Sequence, residues 1–308
     1  MTGTSLEEEW LSVAANFANG QCRSFRGDGR LDLLVRNTET GELFVYPHSG
    51  AFNGMDTFGD PVKIGEGFGW QRFFFVRAVD VSGDGRADIC AFSASDYDIN
   101  PGENGEHGFF LLRNVGGPGE IGPFAEPIRV SSKRDDGQEW ETIGFADVTG
   151  NGADDTFGRG KNAGNVDLFP HRDQGVVRDG SYEKDPVRLT DVGVDDLPVA
   201  MADFTGNGLL DLLIRRPNGD LALYEFAGRP GTTTDGTWHT VARGWQDMRL
   251  MTLTDIDLDG RPDMLALRSD GTLAAYQHSG KFDPENPLDL FLEPVEVATG
   301  FEKYDVVS

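Results

Sequence analysis

Five stretches of this chain set oxygen-bearing side chains at alternate positions of a short, glycine-containing loop: SFRGDGRLD from Ser24, DVSGDGRAD from Asp80, DVTGNGADD from Asp147, DFTGNGLLD from Asp203 and DIDLDGRPD from Asp255. Side-chain oxygens at positions 1, 3 and 5, a backbone carbonyl at position 7 and a carboxylate at position 9 make a donor set for a hard cation. Calcium takes roughly six to eight oxygens at about 2.3–2.6 Å in flexible geometry, which alternate residues of a tight loop supply by pointing inward together. Magnesium, stricter in its octahedral geometry and reluctant to shed water, fits less well. Glycine at position 6 permits the sharp turn. No glutamate stands at position 12 and strand-like runs flank the loop, so it is not an EF-hand.

The fifth copy is the fullest, with Asp255, Asp257, Asp259 and Asp263 beside the Arg261 carbonyl. The second offers Asp80, Ser82, Asp84 and Asp88 with the Arg86 carbonyl. In the third, Asp147, Thr149, Asn151 and Asp155 combine with the Ala153 carbonyl; in the fourth, Asp203, Thr205, Asn207 and Asp211 combine with that of Leu209. Acid counts of four, three, two and two predict affinity falling in that order, with four structural calcium ions in all. The first copy departs: Ser24 replaces the leading acid and Arg26 puts a cation at position 3, leaving Asp28 and Asp32 in a weak or empty site. A competing reading needs no metal, because aspartates also cap such loops by accepting backbone amides.

These loops recur with starts 56, 67, 56 and 52 residues apart, and each is followed by an apolar run, a turn and a second run. LDLLVR from Leu31 with ELFVYPH from Glu42, and DLLIRR from Asp211 with DLALYEF from Asp220, are examples; turns such as PNGD are hairpin signals. A third run follows a longer loop, and a fourth, often opening with Trp, precedes each pattern. Four antiparallel strands per period are the unit of a β-propeller blade. A period above 50 residues is too long for a solenoid rung, leaving a β-sandwich as the alternative. The expected fold is an all-β propeller of five blades, at 10–66, 67–131, 138–190, 195–243 and 245–298 within a single domain 1–308. FEKYDVVS repeats the inner strand as a closing strand at 301–308, which completes the first blade or opens a sixth. A ring of six or seven blades stays open at this point.

A net charge of −25 excludes nucleic acid or an anionic membrane surface as the main partner. No apolar run approaches the ~18 residues that cross a bilayer, so no membrane insertion is expected. Cys22 and Cys90 alone make no disulfide framework. The opening MTGTSLEEEW lacks the basic start and apolar stretch of a secretory signal, leaving a cytoplasmic protein or one whose leader has been removed.

The Dx(S/T)G(D/N)GxxD loops resemble the FG-GAP or VCBS repeats of integrin α-chain propellers and of fungal and bacterial propeller proteins that include lectins, over almost the whole chain. The resemblance implies structural calcium between the first two strands of a blade, and work outside the cell in adhesion or sugar recognition. Cytosolic calcium is too scarce to fill two-acid loops, which also favours an extracellular setting. Integrin-type rings have seven blades, whereas five full units are legible here. The partner expected is a carbohydrate or protein ligand, bound by a monomer.

Alternating strand direction puts the acidic loops and the connections 49–59, 115–124, 171–184, 227–236 and 279–289 on one face, and the Trp-led openings and the insertion 93–108 on the other. Trp70, Trp140 and Trp245, with Phe301 as a fourth, stand at equivalent positions; they are candidates to stack on a sugar, or else core between blades. His48, His171 and His278 recur after the second run, on blades too far apart to share a zinc ion, and read as loop-corner fillers or one pocket per blade. GxSxG, HExxH and P-loop patterns are absent. The acidic insertion, with Asp96, Asp98, Glu103, Glu106 and His107, reads as a solvated loop or as the holder of a general acid and base over the central funnel, and an enzyme of lyase or cyclase type is the runner-up.

Overall fold

The computed structural model describes residues 15–16, 24–65, 75–80, 82–93, 108–131, 140–160, 162–172, 182–183 and 185–308. Ala15–Asn16 forms β1, and the first blade holds β2 (Leu33–Asn37), β3 (Leu43–Tyr46) and β4 (Val62–Gly65). The second blade holds β5 (Phe75–Val79), β6 (Asp88–Ser93), β7 (Gly108–Leu112) and β8 (Ile128–Ser131); the third holds β9 (Trp140–Ala146), β10 (Asp155–Gly160), β11 (Asn165–Phe169) and β12 (Val187–Asp191). The fourth comprises β13 (Leu197–Ala202), β14 (Asp211–Arg215), β15 (Leu221–Phe226) and β16 (Gly236–Ala242). The fifth comprises β17 (Met248–Thr254), β18 (Asp263–Arg268), β19 (Leu273–Tyr276) and β20 (Val295–Ala298), and β21 (Tyr304–Val307) follows. Hydrogen bonding joins these strands into five sheets, making an all-β propeller of five four-stranded blades.

Second strands such as DLLIR and DMLALR are buried at nearly every residue, because neighbouring blades cover a sheet on both faces. Their apolar runs are therefore continuous rather than alternating. Buried side chains pack from one blade into the next: Leu33 and Val35 of the first share a cluster with Leu265 and Leu267 of the fifth.

The first blade takes its innermost strand from the far end of the chain, in the order β21-β2-β3-β4. The Leu34 amide donates to the Ser308 carbonyl at 2.7 Å, and the Ser308 amide returns a bond to Leu34 at 2.9 Å. The Ser308 hydroxyl also accepts the Ala78 amide of the second blade at 3.2 Å. The blade expected to begin near residue 10 thus draws its first strand from 304–307, which fastens the two ends of the ring without a covalent link. β1 instead pairs in parallel with β9, Ala15 opposite Gly144, and also touches β13 and β17. It lies among the innermost strands of three blades, inside the ring.

In blades two to five the nine-residue loop joins the innermost strand to the second, so the loops ring one face. On the other face arginines four residues beyond the final loop aspartate hold the next blade: Arg159 donates to the Asp196 carbonyl at 2.8 Å and Arg215 to that of Met248 at 2.7 Å.

Candidate metal centre

Positions 4 and 6 of every loop are left-handed, with φ of 73° at Gly206 and 85° at Gly208, for example. Two such residues so close together turn the following amides back onto the first side chain, a geometry glycine adopts without steric cost. The position-1 carboxylate accepts the amides of positions 5 and 6 in four copies: Asp80 at 3.1 and 2.7 Å, Asp147 at 2.8 and 2.8 Å, Asp203 at 3.0 and 2.9 Å, and Asp255 at 2.9 and 3.0 Å. The position-9 carboxylate closes the loop, as where Asp263 Oδ2 accepts the Ile256 amide at 2.9 Å. Loop five breaks the glycine pattern, for Leu258 occupies position 4 with φ of 63°.

These bonds cap the backbone, yet each carboxylate oxygen keeps a lone pair. In loop five, Asp255, Asp257 and Asp263 each bring an oxygen within 4.8 Å of the others, a spacing that suits one cation. Asp259 does not join that trio: one of its oxygens takes the Arg261 amide at 2.9 Å and the other the Arg261 guanidinium at 2.6 Å. The fullest copy therefore converges three acids rather than four, because its position-7 side chain neutralises the fourth. No other group of three acids, histidines or cysteines converges among the described residues.

The chain's recurring loops coincide with a known repeat: the family model described as FG-GAP-like repeat matches residues 25–91 and 203–266. Over those two segments the chain is similar to FG-GAP-like repeats. The matched segments hold loops one, two, four and five. No curated protein matches the chain. Among solved structures, a chain of the crystal structure of BBS1N in complex with ARL6DN, soaked with mercury, is similar at 9% identity and a TM-score of 0.38, over 93% of this chain and 84% of that one. A chain of the same complex soaked with lead is similar at 8% identity and a TM-score of 0.37, over 94% and 84%.

Four of the blades share a second element, a corner residue two positions beyond the third strand. Its amide donates to the other oxygen of the position-9 carboxylate: His48 to Asp32 at 2.9 Å, Asn114 to Asp88 at 2.8 Å, His171 to Asp155 at 2.7 Å and His278 to Asp263 at 2.6 Å. The corner side chain then crosses to position 2 of the preceding blade's loop. His48 Nε2 meets the Ile256 carbonyl at 2.9 Å, Asn114 Nδ2 donates to that of Phe25 at 2.8 Å, and His278 Nε2 meets that of Phe204 at 2.9 Å. Because His48 Nδ1 accepts the Gly50 amide at 3.0 Å, the proton sits on Nε2 and the ring is neutral. His48 and His278 are thus latches between blades, not separate pockets.

Blade four has Gly228 at this corner and no latch of this kind. Asp211 Oδ1 consequently lacks the amide its counterparts receive, and it and Thr205 Oγ1 are buried with no partner but one another among the described residues. Two buried oxygens left to one another in one loop fit a cation that the acid count alone ranks low. Burial pushes the position-9 carboxyls upward, to about 7 at Asp88, Asp211 and Asp263 and about 6 at Asp155. Asp80 and Asp255 are raised as well, again by burial. Carboxyls that resist ionising in a dry loop are ones a bound cation would stabilise.

Trp245 is 3% exposed, its ring centroid 4.5 Å from that of Tyr276, so it packs as core and offers no open face to a ligand. Phe301 is likewise buried, against Tyr46 and Tyr304. Trp70 lies outside the described residues, as do the side chain of Trp140, Cys22, and Asp96, Asp98, Glu103, Glu106 and His107 of the insertion. Cys90 is a buried free thiol.

Sequence reasoning missed a cleft on the loop face between blades four and five, a cavity of about 220 Å³. Asp203 and Thr205 line it from the loop of blade four, Asp255 and Arg261 from the loop of blade five, together with His278, Lys281 and Phe282. Between blades one and two the position-7 arginine of the loop bridges: Arg86 donates across to the Phe25 carbonyl at 3.2 Å, and within its own blade to the carbonyls of Glu120 at 3.2 Å and Gly116. Arg261, at the same loop position, turns instead onto Asp259. A position-7 side chain that folds back is the signal that leaves this cleft open.

Proposed function

We propose that this propeller is a calcium-stabilised recognition module that takes a carbohydrate or protein ligand in the cleft between blades four and five. FG-GAP propellers suit recognition and adhesion, and no helix among the described residues is long and apolar enough to cross a membrane. The observation that carries the metal reading is the pairing of the converged trio Asp255, Asp257 and Asp263 with the buried oxygens of Thr205 and Asp211. Loops two to five would hold the ions through the aspartates, Ser82, Thr149, Thr205, Asn151 and Asn207 named above, with the carbonyls of Arg86, Ala153, Leu209 and Arg261. Calcium would neutralise carboxylates that otherwise repel and fix both loops that line the cleft, since Asp203 and Asp255 belong to lining and loop alike.

Calcium use favours an extracellular setting. Within the cleft, Phe282 supplies an apolar face while Asp203, Lys281 and Arg261 supply hydrogen-bonding groups, a mixture suited to a hydroxyl-rich ligand. The test is a glycan array probed with the chain in calcium, repeated with Phe282→Ala and Lys281→Ala. Binding by the wild type that both substitutions abolish supports the cleft; binding that neither substitution weakens overturns it.

A further inference from the structure

We propose that the Arg26 guanidinium takes the place of the metal ion in the first loop, making the blade that closes the ring independent of calcium. One nitrogen, Arg26 Nη2, lies 2.9 Å from Asp32 Oδ1, 3.3 Å from Asp28 Oδ2 and 2.9 Å from the His48 carbonyl. Asp28 and Asp32 occupy positions 5 and 9, the very donors that loops two to five would turn toward an ion. The same residue that removes a ligand from position 3 therefore supplies the positive charge.

The rest of the loop is altered to match. Ser24 accepts the Asp28 amide at 2.9 Å, doing without charge what the leading aspartate does elsewhere, and its hydroxyl donates to Asp28 Oδ1 at 2.8 Å. Asp32 is 3% exposed and the Arg26 side chain 19%, so the pair is shielded enough for the contact to hold without a bound ion. Loop one retains two acids, both bonded to Arg26, whereas loop five has four acids and its Arg261 guanidinium bonds only Asp259, leaving the trio Asp255, Asp257 and Asp263 without a cation from the described residues of the chain.

The location gives this substitution its consequence. Loop one lies at the seam of the ring: its Phe25 carbonyl receives Asn114 and Arg86 of the second blade, while His48 of its own blade reaches Ile256 of the fifth. The first blade is also the one completed by β21. A fixed internal cation here keeps the seam joined when calcium is scarce, while the other loops respond to the ion.

This inference rests on the calcium reading of the other loops, and its test separates the two. Calcium per chain is measured by equilibrium dialysis, and melting is followed in EDTA and in calcium, for wild type, Arg26→Asp and Arg26→Gln. Arg26→Asp is expected to bind one calcium more than wild type and to regain its melting temperature only in calcium. Arg26→Gln is expected to melt several degrees below wild type in EDTA. Equal calcium counts for Arg26→Asp and wild type, or an Arg26→Gln chain that melts with wild type in EDTA, overturns the proposal. A wild type that binds no calcium overturns the reading of loops two to five, and the Arg26→Gln melt then decides whether Arg26 serves as counter-ion to Asp28 and Asp32.

Discussion

Replacing His48 by alanine removes a latch whose worth follows from its surroundings. The residue is fully buried, its Nε2–H bonds the Ile256 carbonyl at 2.9 Å, its Nδ1 accepts the Gly50 amide at 3.0 Å, and its ring meets Phe58 edge-on at 5.8 Å. Alanine leaves the buried Ile256 carbonyl without a partner, at about 1–3 kcal/mol, and frees the part-buried Gly50 amide at a smaller cost. The vacated volume adds a cavity term, so the cost should reach roughly 3–4 kcal/mol. Asparagine should cost about 1 kcal/mol or less, because Asn114 already performs both tasks in the second blade, donating to Phe25 at 2.8 Å and accepting the Gly116 amide at 3.2 Å. Urea unfolding followed by tryptophan fluorescence reads the difference. If His48→Ala costs less than about 1 kcal/mol, or if His48→Asn costs as much as His48→Ala, the latch reasoning is refuted.

The latch also predicts a pH response. Burial lowers the pKa of His48 and of His278 below the ordinary 6.5, so the unfolded chain takes up these protons first as pH falls. Stability contributed by the neutral rings is present above about pH 6.5 and is lost below it. The raised position-9 carboxyls act in the opposite sense, since their contribution is complete below about pH 4 and is lost as pH rises through about 7 in the absence of metal. The double variant His48→Asn, His278→Asn isolates the histidine part, and its stability relative to wild type should improve between pH 7 and pH 5; a constant difference would contradict the assignment. At loop five, Leu258→Gly should stabilise the chain by up to about 1 kcal/mol by relieving the left-handed strain at φ of 63°. A destabilised variant in the same urea assay would show that the side chain, 36% exposed, is kept for a contact.

The repeat was legible because its physics is local. Two left-handed positions, an acid before them and an acid after them give the same loop in blades two to five, and the alternation of loop and apolar run fixes the four-stranded unit. The corner histidines were visible as a recurrence, but their task was not: Asn114 fills the same corner with a different side chain, and its partner Phe25 is 89 residues away. Trp245 carried the composition of a sugar-stacking residue, and its packing against Tyr276 made it core. The acid count ranked loop four low, since the Asp211 oxygen left without an amide arises from the missing corner at Gly228, a feature of another stretch of chain. The open cleft depended on which way one arginine turns, and nothing in the spacing of Arg86 and Arg261 separates them.

The most direct measurement is the calcium content of the chain, loaded with the ion and dialysed against metal-free buffer, together with its melting temperature before and after EDTA. Four calcium ions per chain and a melt that falls by several degrees on chelation are the expected results, since a ligand held at 100 times its Kd adds about 2.7 kcal/mol. No retained calcium and an unchanged melt would mean that the aspartates serve only their own backbone amides, and would contradict the account at its centre.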